Sequence, residues 1–224
     1  MMELYLDTAD VNSIRKWNEI LKIDGVTTNP SILAKEKEDY LKVIAKISEI
    51  LSDDQILFMQ VVATSYEDIL SEARQIAKLR KKNMYVKIPV TPDGLKAIKV
   101  LHEEGIGILA TAIYSAPQAF LAAKNGADYL APYVNRMENY GDGIEEVLTL
   151  QDMLDNAGMD SKIVAASFKN VNQVKQLIAG GIAAVTVPID VLSNMVLHPG
   201  TAIAVEEFSE SWKRRFDEDK ISFE

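Results

Sequence analysis

At 224 residues, 48% hydrophobic and 25% charged, the chain has the make-up of one compact domain with a sizeable core. It contains no cysteine, which excludes disulfides, thiolate zinc sites and cysteine nucleophiles, and its formal net charge of −9 argues against a general binder of nucleic-acid phosphates. His102 and His198 are too few and too far apart in sequence for a zinc enzyme, so no metal is expected; with neither a signal-peptide pattern nor a membrane-spanning run, the expectation is a soluble, cytoplasmic protein.

Along the chain, short β-branched runs alternate with longer amphipathic stretches. The first run, 4–7, ends on Asp7, and the second, 25–29, carries Thr27 and Asn29. The third, 57–63, holds Gln60 and leads into a helical pattern over 65–81, with Ile69, Ala73, Ile76, Ala77 and Arg80 at helical spacing. The fourth, 84–90, contains Lys87 and precedes a helix over 93–104 that carries Leu95, Ile98 and Leu101. Thr111, Tyr133 and Ser167 lie in the next three runs, 107–114, 129–135 and 162–168, and the eighth, 183–189, offers Thr186.

These strand–helix units predict an α/β fold, a parallel sheet closed into a single (β/α)8 TIM barrel domain spanning 1–224. The competing doubly wound open sheet lacks support: Asp-Thr-Ala-Asp, not a Gly-x-Gly-x-x-Gly turn, follows the first strand, and no Walker loop occurs. Pro199-Gly200 then interrupts the pattern, and a C-terminal helix over 201–217 sets Val205, Phe208, Trp212 and Phe216 on one stripe. That stripe packs on its own barrel or docks on a neighbouring subunit, and the sequence leaves both open.

In such a barrel the site forms at the carboxyl ends of the strands, which directs attention to polar residues late in apolar runs. Side chains alternate along a strand, so Val86, Ile88 and Val90 face the helices while Lys87 points inward. Desolvation there lowers the pKa of the amine and leaves a neutral fraction able to attack a carbonyl; the bland counterpart is a strand-end lysine reaching out to solvent. Gln60, Thr111 and Tyr133 can gather one water above the amine, the phenol trading a proton while the amide and hydroxyl orient the water, although each also has an ordinary role in a strand or loop. Asp7, as a buried carboxylate, is either a proton acceptor or the electrostatic partner of Lys87. Arg136, after strand six, and Lys169, just before a helix opening at Asn170, either hold a phosphate together with that helix N-terminus or are solvated charge.

Leu-Asp-Thr-Ala-Asp at 6–10, Gly-Val-Thr-Thr-Asn-Pro-Ser at 25–31, Val-Lys-Ile-Pro-Val-Thr at 86–91, Ala-Pro-Tyr-Val-Asn-Arg at 131–136 and Ala-Ala-Ser-Phe-Lys at 165–169 resemble the short transaldolases. The resemblance extends from the first strand to the helix of Trp212 and implies a class I, Schiff-base aldolase without a cofactor. On it, Lys87 forms the imine, Tyr133 carries the proton, Gln60 and Thr111 position its water, and Asp7 bonds hydroxyls near the cleaved bond. Asn29, with Thr27 in support, holds the dihydroxyacetone unit, and Ser167, Arg136 and Lys169 form the phosphate site. Where transferring members usually carry Glu, Phe and Arg, this chain has Gln60, Tyr133 and Lys169. That set is similar to the fructose-6-phosphate aldolase branch, which reversibly releases dihydroxyacetone and glyceraldehyde 3-phosphate. A transaldolase passing the three-carbon unit to erythrose 4-phosphate is the alternative, and a catalytically silent sugar-phosphate-binding barrel a third reading. The resemblance also implies a homo-decamer of two stacked pentamers, with the C-terminal helix lent to a neighbour.

Overall fold

The computed structural model describes residues 2–223. In chain order its elements are β1 (Glu3–Asp7), α1 (Val11–Ile20), β2 (Gly25–Thr27), α2 (Pro30–Leu33), α3 (Tyr40–Ile50), β3 (Ile56–Gln60), α4 (Tyr66–Ile76), β4 (Met84–Pro89), α5 (Pro92–Glu103) and β5 (Ile108–Ile113). They continue with α6 (Ala116–Lys124), β6 (Tyr129–Pro132), α7 (Val134–Met137), α8 (Gly143–Ala157), β7 (Lys162–Ala165), α9 (Val171–Ala179), β8 (Ala184–Val187), α10 (Ile189–Val196) and α11 (Pro199–Phe216). Every strand runs parallel to the next, and β1 closes the ring on β8 with Tyr5 opposite Thr186 and Leu6 opposite Val187. The fold is the expected α/β TIM barrel with an extra C-terminal helix.

Strand alternation sorts the apolar residues into two cores. Outward-facing Leu6, Val26, Leu57, Val86, Ile88 and Val185 share one core with helix residues such as Ile14, Trp17, Ile47, Ile69, Ile98 and Leu150. Inward-facing Tyr5, Phe58, Leu109, Tyr129, Val164 and Ala184 fill the barrel towards the amino ends of the strands. There the rings of Tyr5, Phe58, Tyr85 and Tyr129 meet mostly edge to face, with centroids 5.2 to 6.5 Å apart. Each such buried side chain is worth about 1.5–3 kcal/mol, so this floor is a packed plug on which the polar mouth rests.

Capping residues close to the strand ends start the helices early and keep the mouth compact. Asp10 accepts from the Asn12 N–H before α1, Thr91 from the Gly94 N–H before α5 and Ser115 from the Gln118 N–H before α6. Gly25 opens β2 at φ 152°, and a Cβ there would lie 1.9 Å from the Ile56 carbonyl oxygen, so only glycine lets β2 and β3 pair at that level.

The structure corrects several boundaries. The runs 25–29, 57–63, 129–135, 162–168 and 183–189 overreach: their strands end at Thr27, Gln60, Pro132, Ala165 and Val187. Val134 and Phe168, which lengthened two of those runs, are buried beyond the strands, Val134 at the start of α7 and Phe168 in the loop after β7. The helix expected over 65–81 stops at Ile76, and Arg80 lies outside it, donating instead to the carbonyls of Leu51, Ser52 and Gln55. Pro199 opens α11 rather than breaking the pattern, because a first-turn residue needs no N–H partner. None of the α11 residues is buried, and Val205, Phe208 and Phe216 stand exposed. No helix among the described residues is long and apolar enough to cross a membrane.

Candidate active site

Lys87 sits on β4 between Val86 and Ile88, both fully buried against the helices, and therefore points into the barrel, where it is only 4% exposed. Among the described residues its ammonium has no ion pair and no side-chain hydrogen bond. Burial pushes its pKa below the usual 10.5, opposed by the field of Asp7. Gln60 is the register partner of Lys87 on β3, and its Oε1 is buried without a partner. A buried acceptor left open is costly unless a water or ligand donates to it.

Across the mouth, the hydroxyls of Thr111 and Tyr133 lie 3.1 Å apart. Thr111 lies within a register shift of β5 between Ala110 and Ile113, where Ala112 takes φ 56° in the left-handed region, a strained turn of the strand beside the polar cluster. Tyr133 is the residue after β6; it bridges to Ala166 and opens α7. On the opposite wall, Asp7 Oδ1 accepts from the Thr27 hydroxyl at 2.9 Å, and the Thr27 oxygen is 2.6 Å from that of Thr186. Burial raises the Asp7 pKa, against the pull of Lys87, the Thr27 bond, Arg136 and Lys35. Asp7 and Lys87 thus feel each other's charge without forming an ion pair.

At the rim, the Asn29 side-chain oxygen caps α2 by accepting from the Ile32 N–H at 3.0 Å, which leaves its amide hydrogens as donors. Arg136, on α7, lays its guanidinium 4.7 Å from the centre of the Tyr133 ring and donates to the Tyr114 hydroxyl at 3.3 Å. Ser167 follows β7 at φ 64°. Lys169 is exposed, its side chain bonded to nothing among the described residues. A groove of about 600 Å³ between the α2–α3 segment and α4 touches this constellation only through Gln60.

A family model described as Transaldolase/Fructose-6-phosphate aldolase matches residues 4–224, nearly the whole chain. The chain belongs to this family. Solved structures share the fold at low identity. A thiamine phosphate pyrophosphorylase from Pyrococcus furiosus is 18% identical with TM-score 0.57, over 84% of this chain and 85% of that one. A native KDPGal structure is 16% identical with TM-score 0.58, over 83% and 81%. A cube-shaped protein cage designed by fusing symmetric oligomeric domains is 14% identical with TM-score 0.61, over 96% and 78%. At these identities the likeness concerns the barrel alone.

In this transaldolase/fructose-6-phosphate aldolase family member, the strand-end residues named from the sequence all lie at one end of the barrel, and five of them form two bonded groups beside Lys87 and Gln60. Asp7 and Thr27 form one; Thr111, Tyr133 and Arg136 form the other. Asn29, Ser167 and Lys169 join neither. Two contributors escaped sequence reasoning. Tyr114 fixes Arg136. Gln173 accepts from the Lys169 N–H and donates to Asn135 and Glu138, tying the Ser167–Lys169 turn to the segment that carries Arg136. Thr186, the weaker candidate from strand eight, is 2% exposed and meets Thr27. Among the described residues no three carboxylate or imidazole side chains gather as a metal site.

Proposed function

We propose that the chain is a class I aldolase that reversibly cleaves fructose 6-phosphate to dihydroxyacetone and glyceraldehyde 3-phosphate through an imine on Lys87. The observation that carries this reading is a buried, unpaired lysine with a depressed pKa beside the open acceptor of Gln60. Neutral Lys87 Nζ attacks C2, and the carbinolamine loses water to give an iminium, the electron sink for the next step. Asp7 takes the proton of the C4 hydroxyl, the C3–C4 bond breaks, the aldehyde leaves, and the bonding electrons form an enamine. Tyr133, its hydroxyl held by Thr111, then protonates C3 through a water oriented by Gln60, and hydrolysis frees dihydroxyacetone and restores the amine.

Asn29 amide hydrogens suit a hydroxyl of the three-carbon unit, with Thr27 in support, and Arg136, Ser167 and Lys169 suit the phosphate. The iminium supplies the electron sink, so the reading requires no metal or organic cofactor. The proposed setting is the cytoplasm, as an assembly of identical chains, in family terms a decamer of two pentamers. Its support is α11, which leaves Val205, Phe208 and Phe216 of its apolar stripe exposed; Phe208 is 71% exposed.

Borohydride added with fructose 6-phosphate should leave a mass adduct on Lys87, and Lys87→Ala should lose it; an adduct on another lysine would overturn the assignment. Free dihydroxyacetone should exceed sedoheptulose 7-phosphate when erythrose 4-phosphate is present, the reverse result favouring the transaldolase. A chain ending at His198 should elute at lower mass by light scattering, and an unchanged mass would remove α11 from the interface.

A further inference from the structure

The Thr27 hydroxyl has one hydrogen and two oxygen neighbours, Asp7 Oδ1 at 2.9 Å and Thr186 Oγ1 at 2.6 Å. With Asp7 ionised, the carboxylate can only accept, so the Thr27 hydrogen goes to Asp7 and the Thr186 hydrogen points at the Thr27 oxygen. The order Thr186 to Thr27 to Asp7 sends both hydrogens towards the negative charge, and each bond polarises the next. The reverse order would leave the Thr186 hydrogen without an acceptor, since among the described residues Thr186 has no other side-chain partner and is buried at 2% exposure. The chain of hydroxyls therefore points one way, and it favours the ionised carboxyl.

We propose that Thr186 is a positioning residue of the active site, acting only through Thr27 to orient Asp7 and hold it ionised. It touches no substrate, and the proposal rests on the reading of Asp7 as the proton acceptor only where activity is measured. The need for such a device is plain: burial raises the Asp7 pKa, and Lys87, Arg136 and Lys35 act on it from a distance without an ion pair. When Lys87 becomes neutral or is converted to a neutral carbinolamine, one of those charges disappears. The two threonines remain as donors whose support does not depend on the state of the lysine.

The test uses the full-length protein and the variants Thr186→Val, Thr186→Ser, Thr27→Val and the double variant. At a fixed pH on the acidic limb, Thr186→Val should lower kcat about fivefold, the weight of one hydrogen bond. The limb should move to higher pH while the plateau at higher pH and KM stay near the parent values. Thr186→Ser should restore the limb. Thr27→Val should lower kcat about 10- to 100-fold, as for a bond to a charged group, and adding Thr186→Val should change nothing further. A lowered plateau with an unmoved limb, failure of serine to rescue, or additive losses in the double variant would each overturn the proposal. Thr186→Ala replaces the valine variant if valine does not fold. Titration of carbon-13-labelled aspartate carboxyls by NMR, with the Asp7 signal assigned from Asp7→Asn, reads the relay without turnover, and its midpoint should move upward in Thr186→Val. Full activity in Asp7→Asn would sink the catalytic reading of Asp7, whereas an unmoved Asp7 midpoint in Thr186→Val would sink the relay itself.

Discussion

The two ends of the barrel interior each carry a lysine, and their treatment differs. At the floor, Lys162 binds Glu3 at 2.6 Å, and Tyr5 donates to the same carboxylate at 2.6 Å, above a cluster of interlocked rings. Burial works against the Glu3 charge, but the bonds from Lys162 and Tyr5 outweigh it and hold the carboxyl below its usual range. At the mouth, Lys87 is more deeply buried yet has no ion pair, and Gln60 beside it keeps an open acceptor. One end pairs its charges and serves stability; the other leaves the Lys87 ammonium unpaired and the Gln60 acceptor open.

Breaking this contrast at the mouth should have the largest effect. Lys87→Met should abolish cleavage and borohydride trapping, whereas Lys162→Met should retain both; loss of trapping in the floor variant would mean that the two ends are not independent. Next in size, Phe58→Ala should destabilise the fold by about 3–5 kcal/mol in urea unfolding, because the ring is fully buried against three aromatic neighbours.

A pH series sharpens the electrostatic half of the comparison. The folded Lys87 pKa is depressed, so trapping should rise with pH to a midpoint below the usual 10.5. Asp7 is the one group that raises it, so Asp7→Asn should move the midpoint lower still. A midpoint at the ordinary lysine value would refute the desolvated amine. Because the unfolded chain binds more protons between the folded and unfolded lysine values, Lys87 lowers stability in that window and the deficit shrinks as pH rises.

The smallest effect belongs to the floor pair. Glu3 is depressed, so its stabilisation is present above the unfolded value of 4.5 and is lost as pH falls through the lower folded value. Half of the Lys162 side chain is exposed, so Lys162→Met should cost at most about 1 kcal/mol near neutrality by thermal unfolding, and less in strong acid. A cost independent of pH would mean packing, not charge.

Much of the site was legible because strand alternation is rigid. Once Val86 and Ile88 face the helices, Lys87 has one direction left, and Asp7, Gln60 and Thr111 follow on their own strands. Legibility fails where the chain leaves the strands. Tyr133 and Ser167 looked like strand residues, yet Tyr133 opens a helix and Ser167 turns at φ 64°, conformations set by the loops that follow. Arg80 matched helical spacing but satisfies carbonyls from a distant turn, because periodicity does not report where a helix stops.

By itself the sequence determined the barrel, its order and the inward lysine, since these depend on local periodicity and on which residue types tolerate burial. Only the tertiary structure decided that Lys87 goes unpaired, that Tyr114 fixes Arg136, that Thr186 reaches Thr27 across 159 positions of chain, and that Val205, Phe208 and Phe216 of α11 stay exposed. Those facts depend on distances of a few ångströms between residues far apart in the chain, which closure of the ring fixes and no local pattern encodes.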